Sequence, residues 1–180
     1  MAYRARVNPS RHVRYLAEGW GVGELWLEDD LVLWHELPAP RARPPSGGGE
    51  APEVTLAEID ERVGDGSVPK MVRLLARYFR GEPTSFAKVE VDLDWCTPFQ
   101  LAVAQALRAV PYAETVTYGE LAALAGYPNA QRAAGSFCAR NRLSLIVPCH
   151  RVLAAGGLGS YGSLGVGYKQ RLLELEGAAL

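Results

Sequence analysis

The chain predicts an α+β fold: a small amino-terminal α/β domain with a short antiparallel sheet, then a mainly helical domain containing a helix-turn-helix. Alternating apolar runs bounded by turn residues are confined to the first half, and capped helical patterns crowd the second. The texture changes near residue 95, so the expected domains are 1–95 and 96–180.

In the first domain, Leu25-Trp26-Leu27 and Leu31-Val32-Leu33-Trp34 flank a Glu28-Asp29-Asp30 turn and read as a hairpin. The stretch from Pro38 to Gly49, with its prolines and three consecutive glycines, reads as a flexible loop over about 38–50. Thr55 and Glu58 form a capping-box pattern for a short helix. Pro69 opens a second helix, with Met71, Leu74, Leu75 and Tyr78 on one face, that Gly81 ends. Val89, Val91 and Leu93 alternate with Glu90, Asp92 and Asp94 as a half-buried strand would. The four tryptophans, Trp20, Trp26, Trp34 and Trp95, are expected to serve packing.

In the second domain a helix starts at Thr97-Pro98-Phe99-Gln100 and stops near Pro111. Thr117 and Glu120 form another capping box, Leu121 and Leu124 are expected to pack inward, Gly126 terminates, and Asn129 is expected to cap the next helix. That helix, Ala130 to Ala139, carries Ala130, Ala133, Ala134, Gly135, Ser136 and Ala139 around one long cation, Arg132. Such bareness lets a backbone approach a surface closely, which suits a minor groove and one inserted side chain better than major-groove reading. Packing of the small residues against a neighbouring helix is the structural alternative.

Leu145-Ile146-Val147 reads as a strand-like run that Pro148 must end, so that Cys149 is presented at a turn, exposed and ionisable. A cysteine attacks as its thiolate, and His150 and Arg151 are the imidazole and cation expected to lower its pKa. A free cysteine can equally be a small core residue. Cys96 and Cys138 are expected to be such packing thiols.

An apolar content of 48 % allows a core without metals or disulfides. Three cysteines without paired spacing suggest reduced thiols and a cytoplasmic location, nucleoid-associated in a prokaryote. Arg4, Arg6, Arg11 and Arg14 are followed by no apolar stretch, so neither secretion nor membrane insertion is expected. His12 and His35 stand apart from every thiol; no metal and no cofactor are expected. The net charge is −1, yet no acidic residue lies between Glu120 and Glu174, where Arg132, Arg140, Arg142, Arg151, Lys169 and Arg171 all fall. A local basic face suffices to meet a phosphate backbone.

Four ordered strings, Thr117-Tyr118-Gly119-Glu120-Leu121-Ala122, Arg132-Ala133-Ala134-Gly135, Arg140-Asn141 and Pro148-Cys149-His150-Arg151-Val152, closely resemble those of the O6-alkylguanine-DNA alkyltransferases, over roughly 97–177. The resemblance implies an RNase H-like first domain and a monomer that acts once on double-stranded DNA containing O6-alkylguanine. It implies minor-groove binding, flipping of the damaged base, and permanent transfer of the alkyl group to Cys149. His150 would accept the thiol proton through a water, Glu176 would orient His150, and Tyr118 would protonate the departing guanine. Arg132 would fill the gap left by the flipped base, with Ala130, Ala133, Gly135 and Arg140 on the DNA-facing side.

Val147, Pro148, Val152, Tyr161, Gly162 and Ser163 would line the substrate pocket, while Asn141 and Arg151 would brace the site from behind. The chain departs from the family pattern by one residue fewer between Arg151 and Tyr161 and one more between Tyr161 and Lys169, which puts the register of the 156–168 loop in question. A DNA-binding regulator or a lesion sensor that lacks transfer is the competing reading, although sensors of this type lack the cysteine. A cysteine hydrolase would leave Arg132 and the bare helix without a task.

Overall fold

The computed structural model describes residues 10–40, 53–58 and 69–179. They form two compact units whose boundary interleaves: Val89–Asp92 belongs with the first and Gly81–Lys88 with the second.

The first unit holds a four-stranded sheet of order β3-β2-β1-β4. Strands β1 (Arg11–Ala17), β2 (Gly21–Glu28) and β3 (Leu31–Ala39) form an antiparallel meander, and β4 (Glu53–Thr55) pairs with β1 in parallel. The expected hairpin is therefore present, with Trp26 opposite Trp34 and Asp29 at φ 52 in the turn. Period-two alternation puts Val13, Tyr15, Ala17, Leu25 and Leu27 in the core. Gly23 is required there, because a Cβ would lie 2.3 Å from the Tyr15 ring. Helix α1 (Lys70–Phe79) follows Pro69 and buries Met71, Val72, Leu75, Ala76 and Tyr78.

Three expectations for this unit need correction or fall partly outside view. Pro38 and Ala39 extend β3 instead of opening the loop, and 41–52 lie outside the described residues. After Thr55 there is one 3-10 turn, Leu56–Glu58, and the continuation again lies outside the described residues. Val89, Val91 and Leu93 form no strand. Val32 donates to Glu90 and accepts from Asp92, a single parallel bridge that ends because the chain turns at Leu93, whose carbonyl accepts from Cys96.

The second unit opens with α2 (Pro98–Arg108), where Thr97 and Gln100 form a reciprocal capping box. Strand β5 (Val116–Thr117) runs directly into α3 (Tyr118–Leu124), which the expected box of Thr117 and Glu120 starts and Gly126, at φ 85, ends. Helix α4 (Gln131–Cys138) packs on α3. Asn129 does not cap it: Asn129 sits at φ 70 and the flanking Ala130 offers no side-chain acceptor. Leu121 is buried as expected, but Leu124 is 65 % exposed at the frayed end of its short helix.

A parallel pair joins β5 to β6 (Val152–Leu153), with Val116 opposite Val152. Helix α5 (Gly165–Glu176) ends on left-handed Gly177, and Ala178 donates back to Leu173. Arg142 lies 4.5 Å above the Trp95 ring, which stacks on Phe137, so the end of α4 is clamped before the chain reaches the cysteine. Trp20 is buried, whereas Trp26 is half-buried and stacks on His12. Among the described residues no helix is long and apolar enough to cross a membrane, and no cluster of His, Cys, Asp and Glu could hold a metal.

Candidate active site

Cys149 is held by a turn built from local hydrogen bonds. Asn141 accepts from the Leu143 N–H at 3.0 Å, and its amide donates to the Val147 carbonyl at 2.7 Å and to Cys149 Sγ at 3.2 Å. Pro148 has φ −79 and ψ 65, and the Cys149 N–H donates across it to Val147 at 2.8 Å, which is an inverse γ-turn that the proline ring favours. The run before it is not the expected strand. Val147 donates back to Leu143 and Leu145 takes φ 67, a conformation costing a leucine about 1 kcal/mol that the Asn141 bonds must hold.

Cys149, His150 and Arg151 then form one 3-10 turn, with all three side chains buried. Glu176, 26 residues further on, meets them from the end of α5. Its Oε1 lies 2.7 Å from His150 Nε2 and accepts from Arg151 at 2.9 Å; its Oε2 accepts from Arg151 Nε at 2.9 Å and from the Ala113 N–H at 3.0 Å. Burial alone would raise the Glu176 pKa, but the hydrogen bonds and charges of His150 and Arg151 outweigh it and hold it at about 2. An ionised carboxylate can only accept, so His150 carries its proton on Nε2 and offers Nδ1 as the basic nitrogen. Burial, assisted by the Arg151 and Lys169 charges, pushes the His150 pKa down against Glu176, which favours the neutral ring.

The thiol differs from expectation in two ways. It is only 7 % exposed, and burial pushes its pKa up. The groups that oppose this are Asn141, Lys169, Tyr161 and the Cys149 backbone itself. Arg151 is committed elsewhere, in its fork with Glu176 and a 2.8 Å bond to the Val110 carbonyl.

Because Val116 pairs with Val152, Tyr118 at the start of α3 is brought beside the cysteine turn. Its ring lies beside Gly135 and Gly159, where a Cβ on either would sit in ordinary contact with it, at 3.8 and 3.7 Å. Burial first, and then the neighbouring Cys138 and Cys149, raise the Tyr118 pKa and keep its hydroxyl a proton donor. Cys138 is half-buried, and burial is the chief cause that raises its pKa. Tyr161 is buried and stacks on Tyr168 at 6.3 Å; Gly162 and Ser163 lie exposed in the 3-10 turn before α5. Pro148, Val147 and Val152 are buried around the sulfur's turn.

Arg132 and Ala133 are exposed on α4, Arg140 is exposed in the turn just after it, and Ala130 is half-exposed at its start. The basic stretch divides: Arg132, Arg140 and Arg171 face outward, whereas Arg142, Arg151 and Lys169 are buried. Two contributors were not anticipated from the sequence. Ala113, at φ 64, supplies a backbone donor for which no residue-type signal exists. Lys169 has a signal, since it falls on the buried stripe Lys169, Leu172, Leu173, Glu176 of α5 at helical spacing.

Residues 98–178 match the family described as 6-O-methylguanine DNA methyltransferase, DNA binding domain. A relative from Mycobacterium leprae named methylated-DNA–protein-cysteine methyltransferase is 48 % identical over 62 % of this chain and 67 % of its own length. One of the same name from Methanopyrus kandleri is 42 % identical over 70 % of this chain and 95 % of its own. The matched stretch thus spans about two thirds of the mycobacterial relative and nearly all of the archaeal one. The crystal structure of Mycobacterium tuberculosis O6-methylguanine methyltransferase superposes with a TM-score of 0.71 at 33 % identity, covering 94 % of both chains. A complex of the Mycobacterium tuberculosis protein with DNA gives 0.69 at 33 % identity over 92 % of both. With its cysteine turn, buried histidine-carboxylate pair and α+β architecture, the chain belongs to the methylated-DNA–protein-cysteine methyltransferase family of enzymes.

Proposed function

We propose that this chain repairs DNA directly, moving the alkyl group from O6 of guanine in duplex DNA onto Cys149 in one irreversible turnover. The observation that carries the reading is the convergence of three groups: a thiol fixed by the Asn141–Pro148 turn, a neutral imidazole held by an ionised Glu176, and the Tyr118 hydroxyl. Proton loss from Sγ to His150 Nδ1, by way of a bridging water as in the family, generates the thiolate. The sulfur pair attacks the alkyl carbon, an S–C bond forms, the C–O6 bond breaks, and the released pair stays on guanine. Tyr118 then gives its proton to that anion and is reprotonated from imidazolium, so the thiol proton is in net exchanged for the alkyl group. Asn141 positions the sulfur without touching substrate.

In this reading α3 and α4 form the helix-turn-helix and enter the minor groove with the exposed small-residue side of α4. Ala130, Ala133 and Gly135 allow close approach, Arg140 meets phosphate, and Arg132 fills the space of the extruded nucleotide. A buried sulfur makes extrusion obligatory, because the alkyl carbon must be brought to it. Val147, Pro148, Val152, Tyr161, Gly162 and Ser163 line the guanine pocket. The protein acts as a monomer in the cytoplasm, its first unit follows an RNase H-like plan, and no cofactor takes part.

Incubation with duplex DNA containing O6-methylguanine, followed by intact mass measurement, should add one methyl group, located on Cys149 and absent in Cys149→Ala. Unchanged mass with tight lesion binding would overturn transfer in favour of a sensor. Repeated turnover of an ester would point to a hydrolase.

A further inference from the structure

Helix α5 ends on Glu176, the carboxylate that His150 meets, and a helix end is its least constrained part because the last carbonyls have no partner within the helix. Ala178 and Gly177 donate to the carbonyls of Leu173 and Glu174. The carbonyl of Leu175, immediately before Glu176, accepts instead from the Tyr112 hydroxyl at 3.3 Å, and the same hydroxyl lies 3.4 Å from the Gly81 carbonyl. One hydrogen shared between two acceptors accounts for both lengths. Gly81 is within reach because it rests on Leu175, whose Cδ1 is 3.5 Å from where a Cβ would stand. Burial first, and then the Glu176 charge, push the Tyr112 pKa up against Arg151, so the hydroxyl keeps the hydrogen it donates.

Tyr112 belongs to a turn that grips the Glu176–Arg151 pair from both sides. The Glu114 N–H donates to Pro111 at 3.3 Å and closes a β-turn whose third residue is Ala113, at φ 64. That left-handed position ordinarily takes glycine, so an alanine there must be held by its contacts. The ion pair holds it: the Ala113 N–H donates to Glu176 Oε2 at 3.0 Å, and the Val110 carbonyl accepts from Arg151 at 2.8 Å. The Arg151 guanidinium also lies 5.8 Å from the Tyr112 ring centroid. Contacts therefore run in a closed circuit, from the Tyr112 hydroxyl to the end of α5, along Glu176 to Ala113, and back through one peptide to Tyr112.

We propose that Tyr112 is a positioning residue for the transfer reaction: by tying the 111–114 turn to the last turn of α5, it keeps Oε2 of Glu176 on Ala113 and so leaves Oε1 turned to the His150 ring. The inference deepens the alkyl-transfer reading and rests on His150 as the base that serves Cys149. Tyr112 acts through Glu176 and not on the substrate. The fork with Arg151 fixes the carboxylate only relative to the guanidinium, whereas the circuit through Tyr112 fixes it relative to the helix end that carries it. A base held 2.7 Å from its orienting carboxylate is sensitive to small displacements of that carboxylate.

The test is Tyr112→Phe, which keeps the ring beside Arg151 and removes the shared hydrogen. Single-turnover methyl transfer at saturating duplex should slow about tenfold, with the half-saturating DNA concentration unchanged and the reaction with free O6-benzylguanine slowed by the same factor. The His150 Nε2 proton, which its short bond to a carboxylate holds far downfield in the proton NMR spectrum, should move upfield or vanish by exchange with water. A folded Tyr112→Phe protein with the wild-type resonance overturns the proposal whatever its rate, since lost packing alone would slow the reaction without touching that proton. A displaced resonance with wild-type rates overturns it as well.

Should Tyr112→Phe not fold, difluorotyrosine placed at position 112 keeps the hydroxyl and the shape of the ring, and its phenol gives up its hydrogen at lower pH than that of tyrosine. Transfer relative to wild type should then decline across the phenol's own titration, followed by fluorine NMR. A ratio that stays flat across it overturns the assignment. If the wild type moves no alkyl group from DNA while the His150 proton still depends on Tyr112, the function fails and the positioning role stands.

Discussion

Helices α4 and α5 invert the usual amphipathic arrangement in opposite ways. Helix α4 turns Ala133 and Ser136 toward solvent around Arg132, burying only Ala134 and Phe137. Helix α5 turns two charged residues, Lys169 and Glu176, inward beside Leu172 and Leu173. The first arrangement leaves stability to the neighbours and keeps a smooth surface free for a close partner. The second spends stability on holding two charges in the interior, Glu176 paired with His150 and Arg151 and Lys169 on the carbonyls of Val152 and Leu158.

If that contrast is right, substitutions in α5 should be far more costly to the fold than substitutions in α4. The largest effect is expected for Glu176→Ala, which strips His150, Arg151 and Ala113 of one shared acceptor and leaves a buried guanidinium uncompensated. The loss should be about 3–5 kcal/mol in urea denaturation, and a loss below about 1 kcal/mol would break the comparison.

Acid should expose the same dependence. The Glu176 carboxyl, held at about 2 against an ordinary 4.5, contributes stability that is complete above 4.5 and lost as pH falls toward 2, on the order of 3 kcal/mol in all. His150 acts in the same direction earlier: its lowered pKa means the unfolded chain binds the proton more readily below about 6.5, so stability declines from there downward. Denaturation midpoints at neutral pH and in mildly acidic buffer should therefore separate in the wild type, and separate less in Glu176→Gln.

Arg132→Ala should leave the fold within about 0.5 kcal/mol, as for exposed positions generally. It should nevertheless slow methyl transfer from duplex DNA about tenfold or more, while reaction with free O6-benzylguanine is unchanged. Equal losses on both substrates would remove Arg132 from DNA recognition. Thr117→Ala, which deletes the cap of α3, should cost about 1 kcal/mol and would show how much of the α3–α4 pair depends on its own termini. Gly135→Ala is expected to matter least for stability, since its Cβ would meet Tyr118 at an ordinary 3.8 Å; any effect should appear in duplex repair alone.

Features legible in the sequence were those encoded within a few residues. Thr117 with Glu120, Pro69 before α1, the hairpin around Asp29 and the Pro148–Arg151 string each state their local geometry in residue type. Errors came where a distant partner decides. Leu145-Ile146-Val147 has the composition of a strand but no strand to pair with, so it coils under Asn141. Val89 to Leu93 alternates like a strand but, among the described residues, makes an isolated bridge to Val32 instead of a ladder. Asn129 has a capping side chain yet occupies the left-handed turn instead. In the site, Cys149, His150 and Glu176 were recognisable, but the expectation that Arg151 acts on the thiol was not met, because Glu176 offers it a bidentate partner.

By itself the sequence determined the Pro148–Arg151 string, the bare helix and the kinship, because each is a string whose character does not depend on what lies elsewhere. Tertiary structure alone decided which of six cations in the acid-free stretch remain outside and which turn inward. Charge is a property of the residue. Its effect depends on burial and on which group neutralises it, and both are set by chain segments tens of residues apart.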